Sequence, residues 1–428
     1  MELAAVQRRT LRLLFATQVI SGIGVAIGAS VGALLAADIA GVAVSGLAQS
    51  ATVVGAALFA LPATLIVNRR GRRVSLASLY LVAVFGAIIV LTAAMRGSVP
   101  FLFAGFFLFG GATAAGLQAR YAAVDLAPAA MRGRHLSFIV WGTTLGAVIG
   151  PSLAPLAGAT MQNYGIPTLA GPFVFTAILL GLATLLLLLL LRPDPAVVAR
   201  AQLGNPAGPA SQHRDGGMRA AWRVVASRAA ARLGIAAMAV GHVVMIGVMA
   251  MTPVHIRGAG HGPERTLGIV GIVLSLHIAG MFAFSPVVGW LTDRFGRRAV
   301  IFAGIALLLV ACGVAGTAGH DPPRLAAGMM LLGLGWSATM IAGSTLLSDA
   351  IPLELRASAQ GLSDLLMGLA GATAGAMSGL IVDAWGYPRL TLLAALATAP
   401  LMVLVSFATG RIDDRVPREE PNPLQSAG

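Results

Sequence analysis

Lysine is absent from this 428-residue sequence, so all 29 basic residues are arginines. Charge of either sign is scarce: charged residues make up 11% of the chain, hydrophobic residues 57%, and the mean hydropathy is +0.86. Soluble domains carry about a quarter charged residues. The chain therefore has lipid as its solvent. Cys312 is the single cysteine, which excludes an intramolecular disulfide and any CxxC site. Within an apolar run it reads as a small buried residue. No nucleophile–base constellation, Walker-type glycine loop or zinc-protease motif occurs, so no enzyme and no cofactor is expected. The net charge of +13 would suit nucleic acid if the arginines gathered on one face or arm. They are dispersed through short loops instead, which excludes nucleic acid. With the alanine and glycine load, the missing lysine reflects a GC-rich genome.

What is present is a series of long apolar runs. A membrane-spanning helix needs ~20 apolar residues. Runs of that length fall at 11–37, 43–67, 74–95, 99–125, 136–160 and 171–191, and again at 229–252, 266–291, 299–319, 325–349, 359–383 and 388–409. The expected organisation is a first six-helix bundle (1–191), a middle loop (192–228), a second six-helix bundle (229–409) and a tail (410–428). The middle loop is rich in arginine and proline and reads as a hinge or an amphipathic surface helix. Arg8-Arg9-Thr10-Leu11 has no small-residue cleavage site behind it, so it reads as the basic anchor of an uncleaved first span.

Arginine placement gives the orientation, because basic loop residues are retained on the cytoplasmic side. With the N-terminus inside, 23 arginines lie at cytoplasmic ends and loops. The outer loops hold five: Arg96, Arg257, Arg265, Arg324 and Arg389. Arg120 lies inside span 4. Both termini are expected in the cytoplasm of a bacterium, with the chain a multi-pass protein of the inner membrane.

Two signatures recur between the halves. Asp125-Leu-Ala-Pro128-Ala-Ala-Met-Arg132 after span 4 matches Asp349-Ala-Ile-Pro352-Leu-Glu-Leu-Arg356 after span 10, at an offset of 224. Asn68-Arg69-Arg70-Gly71-Arg72-Arg73 after span 2 matches Asp293-Arg294-Phe295-Gly296-Arg297-Arg298 after span 8, at an offset of 225. Two independent signatures at nearly one offset indicate duplication.

Gly289-Trp-Leu-Thr-Asp293-Arg294-Phe-Gly296-Arg297-Arg298 resembles the cytoplasmic signature of the major facilitator superfamily. The resemblance in span count, middle loop and repeats covers the whole chain. It implies an all-α membrane protein with the major facilitator fold: twelve transmembrane helices in two pseudo-symmetric six-helix bundles that rock about a central cavity. In that family the motif ties cytoplasmic helix ends together, with its aspartate, here Asp293, near the positive start of span 11. The first-half copy departs from the pattern at Thr64 and Asn68, so its latch is weaker or uncharged. Gating is accordingly expected of Asp293, Arg294, Gly296, Arg297, Arg298, Asn68, Gly71, Asp125, Arg132, Asp349, Arg356 and Asp364. Gly142, Gly146, Gly150 and Pro151 in span 5 resemble a motif of proton-driven exporters, and Gly371, Gly375 and Gly379 repeat the spacing in span 11. Helix packing is the role expected of all seven. Phe106 stands where drug:proton antiporters carry an arginine, which weakens an exporter reading.

Intramembrane chemistry concentrates in the second half. Met238, His242, Met245 and Met249 recur at four, three and four, on one helical face of span 7, and span 8 adds His277 and Met281 one turn apart. Thioethers and imidazoles suit monovalent copper. Met245-x-x-x-Met249 followed by His277-x-x-x-Met281 resembles the paired motifs of the CcoA-like bacterial copper importers. That resemblance implies copper uptake, with Met245, Met249, His277 and Met281 as metal ligands and copper as cargo rather than cofactor. Met238, His242 and Arg120 are the remaining substrate-binding candidates, and Arg120 alternatively pairs with Asp125 or Asp364. By depth, Met238 is expected at the level of Met281 and His242 at that of His277, a ladder of soft ligands. The alternative cargo is a small organic molecule, through proton-coupled drug efflux or flavin-like uptake. The expected partners are the cargo and the bilayer, and the chain is expected to be a monomer.

Overall fold

The structure, a computed structural model, describes residues 3–127, 131–202, 214–352 and 355–408. Among these, every regular element is a helix, and twelve helical runs are long and apolar enough to cross a bilayer. Spans 1 to 6 are Leu3–Ala40, Val42–Val67, Arg69–Arg96, Val99–Ala122, Phe138–Gln162 and Gly171–Leu190, with Gly71 breaking the helix near the start of span 3. Spans 7 to 12 are Ala229–Arg257, Pro263–Phe295, Arg297–Gly316, Pro322–Ala350, Ser358–Trp385 and Tyr387–Val405. With no water inside a bilayer, backbone groups must pair within their own helix, which is why the apolar runs fold this way. Span 1 begins eight residues before its apolar run. At 38 residues it is about 57 Å long, so its first turns, carrying Arg8, Arg9 and Arg12, project beyond a ~30 Å hydrocarbon layer.

Twelve crossings put the start of span 1 and the finish of span 12 at one end of the bundle, called here the termini end. Spans 4, 6, 8, 10 and 12 all enter from the far end with proline in the first turn, where its missing N–H costs nothing. At the termini end, Gly71 (φ 88°) and Gly296 (φ 90°) take the same backbone turn between spans 2 and 3 and between spans 8 and 9. A side chain rarely adopts this conformation. The duplicated motif therefore carries a duplicated backbone geometry.

The glycine stripes do different jobs. Gly142, Gly146 and Gly150 lie against Phe15, Gly22 and Ala26, seating span 5 on span 1 within the first half. Pro151 and Ser152 instead meet Gly271 of span 8 in the second half. Gly375 and Gly379 of span 11 lie on Gly46 and Ala43 at the start of span 2, across the seam between the halves. Gly371 makes room for the imidazole of His242. With lipid outside and no hydrophobic drive between helices, close backbone approach of this kind is the main source of packing.

Candidate transport site

The two sequence signatures of each half are the two sides of one ion pair. Arg72, directly after the Gly71 break at the start of span 3, points Nε and Nη2 at the Asp125 carboxylate (2.8 and 3.1 Å) and Nη1 at the Gln118 Oε1 (2.9 Å). Arg297, 225 residues on, donates Nε to Asp349 at 3.0 Å. The first pair is well shielded; the second is more exposed, and Arg297 is shared with Asp293 at 3.8 Å. Arg294 lies over Trp290 and Phe295, and Arg298 is buried. Asp125 is held by Arg72, and among the described residues Arg120 forms no ion pair with either Asp125 or Asp364. The side chains of Asn68, Arg132 and Arg356 lie outside the described residues, as does the 410–428 tail.

One residue that the sequence reading did not single out completes the first-half turn. Asp194 accepts the backbone N–H of Arg73 at 2.7 Å and also those of Ala196 and Val197 at 2.9 and 3.3 Å. It thus caps span 3 and the middle-loop helix Pro195–Gln202 together. Its carboxylate occupies the space a Cβ on Gly71 would fill, whereas nothing lies there at Gly296. Aspartate two residues past a span-ending arginine looks like any loop residue in sequence. A second unheralded group is the buried network of Gln18, Ser21, Tyr80 and Thr143, joined by bonds of 2.9–3.0 Å between spans 1, 3 and 5.

The halves are joined by polar contacts at the far end. Arg257 of span 7 pairs with Asp38 of span 1. Ser50 donates to the Ala372 carbonyl at 2.6 Å, linking spans 2 and 11. Ser152 and Ser275, on spans 5 and 8, share a bond of 2.9 Å. Under this closed end lies a cavity of about 120 Å³ between the halves. Ser45, Gln49, Thr52 and Thr113 supply its hydrogen-bonding side chains and Phe106, Phe109 and Met249 much of its apolar wall; none of its lining residues is charged. Phe106 and Phe109 are held by edge-on contacts with Phe173.

The soft-ligand candidates divide. Met245, Met249 and Met281 come together in one cluster with Trp336, Phe282 and Met340. Met238 belongs to another, against Leu347 and Leu362, and its sulfur receives the Ser363 hydroxyl at 3.7 Å. Met238 thus packs where the termini end of span 7 meets span 11, in a different cluster from Met281. His242 Nδ1 accepts the Trp336 indole N–H at 3.2 Å, so its proton sits on Nε2 and no ring lone pair is free. His277 is the converse. Its Nδ1 lies 2.8 Å from the Met329 carbonyl, which only accepts, so Nδ1 carries the proton and Nε2 keeps its lone pair. That Nε2 is buried without a hydrogen-bond partner.

The sequence profile described as Major Facilitator Superfamily matches residues 14–270 and 261–427. Among curated proteins, the uncharacterised MFS-type transporter YdeG of Bacillus subtilis is 38% identical, covering 94% of this chain and 93% of its own. The riboflavin transporter RfnT of Brucella anthropi is 28% identical over 82% of this chain and 83% of its own. Among solved structures, the nucleoside transporter NupG has a TM-score of 0.73 at 16% identity, covering 96% of this chain and all of its own. A bacterial homologue of the lysosomal transporter Spinster has a TM-score of 0.70 at 15% identity, covering 95% and 97%.

Proposed function

The chain belongs to the major facilitator superfamily, and we propose that its cargo is an uncharged organic solute with a planar apolar body and a hydrogen-bonding edge, flavin-like in chemistry. The charge-free cavity with two aromatic rings, an amide and hydroxyls is the observation that carries this reading. An ionic cargo would meet no countercharge there, and burial of an unpaired charge is costly. The riboflavin relative, which aligns over most of the chain, supports it. The arginine-rich termini end faces the cytoplasm in this reading, which the bias of basic residues supports. The conformation is then inward-facing, closed at the far end by Asp38–Arg257 and Ser50–Ala372. Transport proceeds by alternating access, with Arg120 and Asp364 approaching as the cytoplasmic side closes. Asp293, Arg297 and Asp349 act at that same end.

A second reading is favoured by one observation. His277 Nε2, an available imidazole lone pair in the second half, sits one turn from Met281 and its methionine cluster, a donor set suited to monovalent copper. Uptake of radiolabelled riboflavin and of reduced copper into proteoliposomes separates the two. Flavin accumulation weakened tenfold or more by Thr113→Val with Gln49→Leu is expected. Copper accumulation lost in His277→Ala and Met281→Ala, with no flavin uptake, would replace the first reading with the second.

A further inference from the structure

Ala5, Arg8, Arg9, Arg12 and Leu13 recur at three, four, seven and eight residues, so they form one stripe of span 1 at its termini end. That stripe and Leu190, the last residue of the span 6 helix, line an open cleft of about 440 Å³. Arg192 extends the basic wall into the adjoining groove, beside Arg9, Thr10 and Leu191. The guanidiniums of Arg8, Arg9, Arg12 and Arg192 are all exposed. Among the described residues no acid stands within ion-pair distance of any of them. By contrast, Arg72 is paired with Asp125, Arg257 with Asp38 and Arg297 with Asp349. Here four positive charges converge on a cleft whose remaining walls are leucine and alanine. The stripe lies where span 1 leaves the hydrocarbon, so the apolar walls continue into lipid.

We propose that this cleft binds an anionic membrane phospholipid, its phosphodiester on the arginine fork and its first acyl carbons along Leu13 and Leu190. A guanidinium presents paired N–H donors that match two phosphate oxygens. The apolar wall distinguishes a lipid from a free anion, which would gain nothing from it. Charge complementarity distinguishes an acidic lipid from a zwitterionic one, whose ammonium the arginines repel.

The test uses the purified full chain in native mass spectrometry with phosphatidylglycerol, phosphatidylcholine or inorganic phosphate added. Wild-type protein retains phosphatidylglycerol over phosphatidylcholine. The triple variant Arg8→Gln, Arg9→Gln, Arg12→Gln loses that preference by roughly a hundredfold, at about fivefold per arginine near an anionic headgroup. The charge-matched variant Arg69→Gln, Arg70→Gln, Arg73→Gln keeps it. An undiminished preference for phosphatidylglycerol in the first triple, or an equal loss of it in the second, overturns the site. Displacement of the lipid by inorganic phosphate shows an anion site and overturns the lipid assignment. Should the first triple fail to fold, the wild-type protein alone decides: equal retention of the two lipids, or no weakening of phosphatidylglycerol retention at high salt, overturns the proposal.

Discussion

Replacing Gly46 by alanine tests whether the far-end seam sets the balance between conformations. Gly46 has ordinary helical angles, φ −64° and ψ −21°, so alanine meets no backbone objection. It meets the Gly375 carbonyl of span 11 instead, inside van der Waals contact, with Ser378 Oγ 3.0 Å away. The obstacle is backbone rather than a flexible side chain, so the helices must separate. Overpacking of this kind costs about 1–3 kcal/mol. The cost falls on the closed far end alone, because the opposed helices part when that end opens, while the gain in helix propensity is common to both states and cancels. The ratio of far-end-open to far-end-closed molecules should therefore rise roughly 5- to 150-fold, at 1.4 kcal/mol per tenfold. Gly379→Ala, which meets the Ala43 carbonyl, should act in the same sense. A cysteine at Gln49 in a Cys312→Ala background, challenged with an impermeant maleimide from each face in turn, reads the shift. Cys312 is 2% exposed and contributes no background of its own. Faster labelling from the far side is expected. An unchanged rate in a folded, membrane-inserted Gly46→Ala protein would refute the argument that this contact holds the far end shut.

Two other changes address the termini end. Arg72→Ala removes the bidentate contact to Asp125 and the bond to Gln118 and leaves a shielded carboxylate unpaired, at about 2–3 kcal/mol. A fall of several degrees in the melting temperature of the detergent-solubilised protein is expected, and a smaller one for Arg297→Ala, whose pair is more exposed. Asp194→Ala removes a shared cap worth about 1 kcal/mol, and the Arg73 amide should exchange with deuterium roughly fivefold faster while amides near Arg298 are unaffected.

The fold was legible because lipid makes hydropathy nearly sufficient: the number of spans and the duplication follow from apolar runs and two spaced motifs. The ion pairs were legible as signatures but not as bonds. Spacing along the chain says nothing about Arg72 lying over Asp125, 53 residues away. The face of span 7 was predicted from its period, yet its lower turn packs on span 11 and its upper turns on span 8. A period identifies a face and leaves its neighbour undefined. His242 and His277 look alike in sequence; a Trp336 donor on one and a Met329 carbonyl on the other give them opposite tautomers. The cavity residues Gln49, Thr52 and Thr113 carried no signal, since isolated small polar residues are ordinary in membrane helices.

The middle loop is divided in its allegiance. Its helix Pro195–Gln202 is tied to the first half through Asp194 and by Arg200, which reaches the Val67 carbonyl. Helix Arg214–Ser227 packs Ala221 and Val225 against spans 7, 10 and 11. A transporter expressed as two separate polypeptides should consequently reassemble when the break falls at residues 203–213, with each fragment carrying its own share of the linker. A break at residue 192 would strip the first fragment of its Asp194 clasp. Chimeras that exchange halves between relatives face the same rule: the exchange point that respects the molecule lies inside the linker, not at either membrane edge.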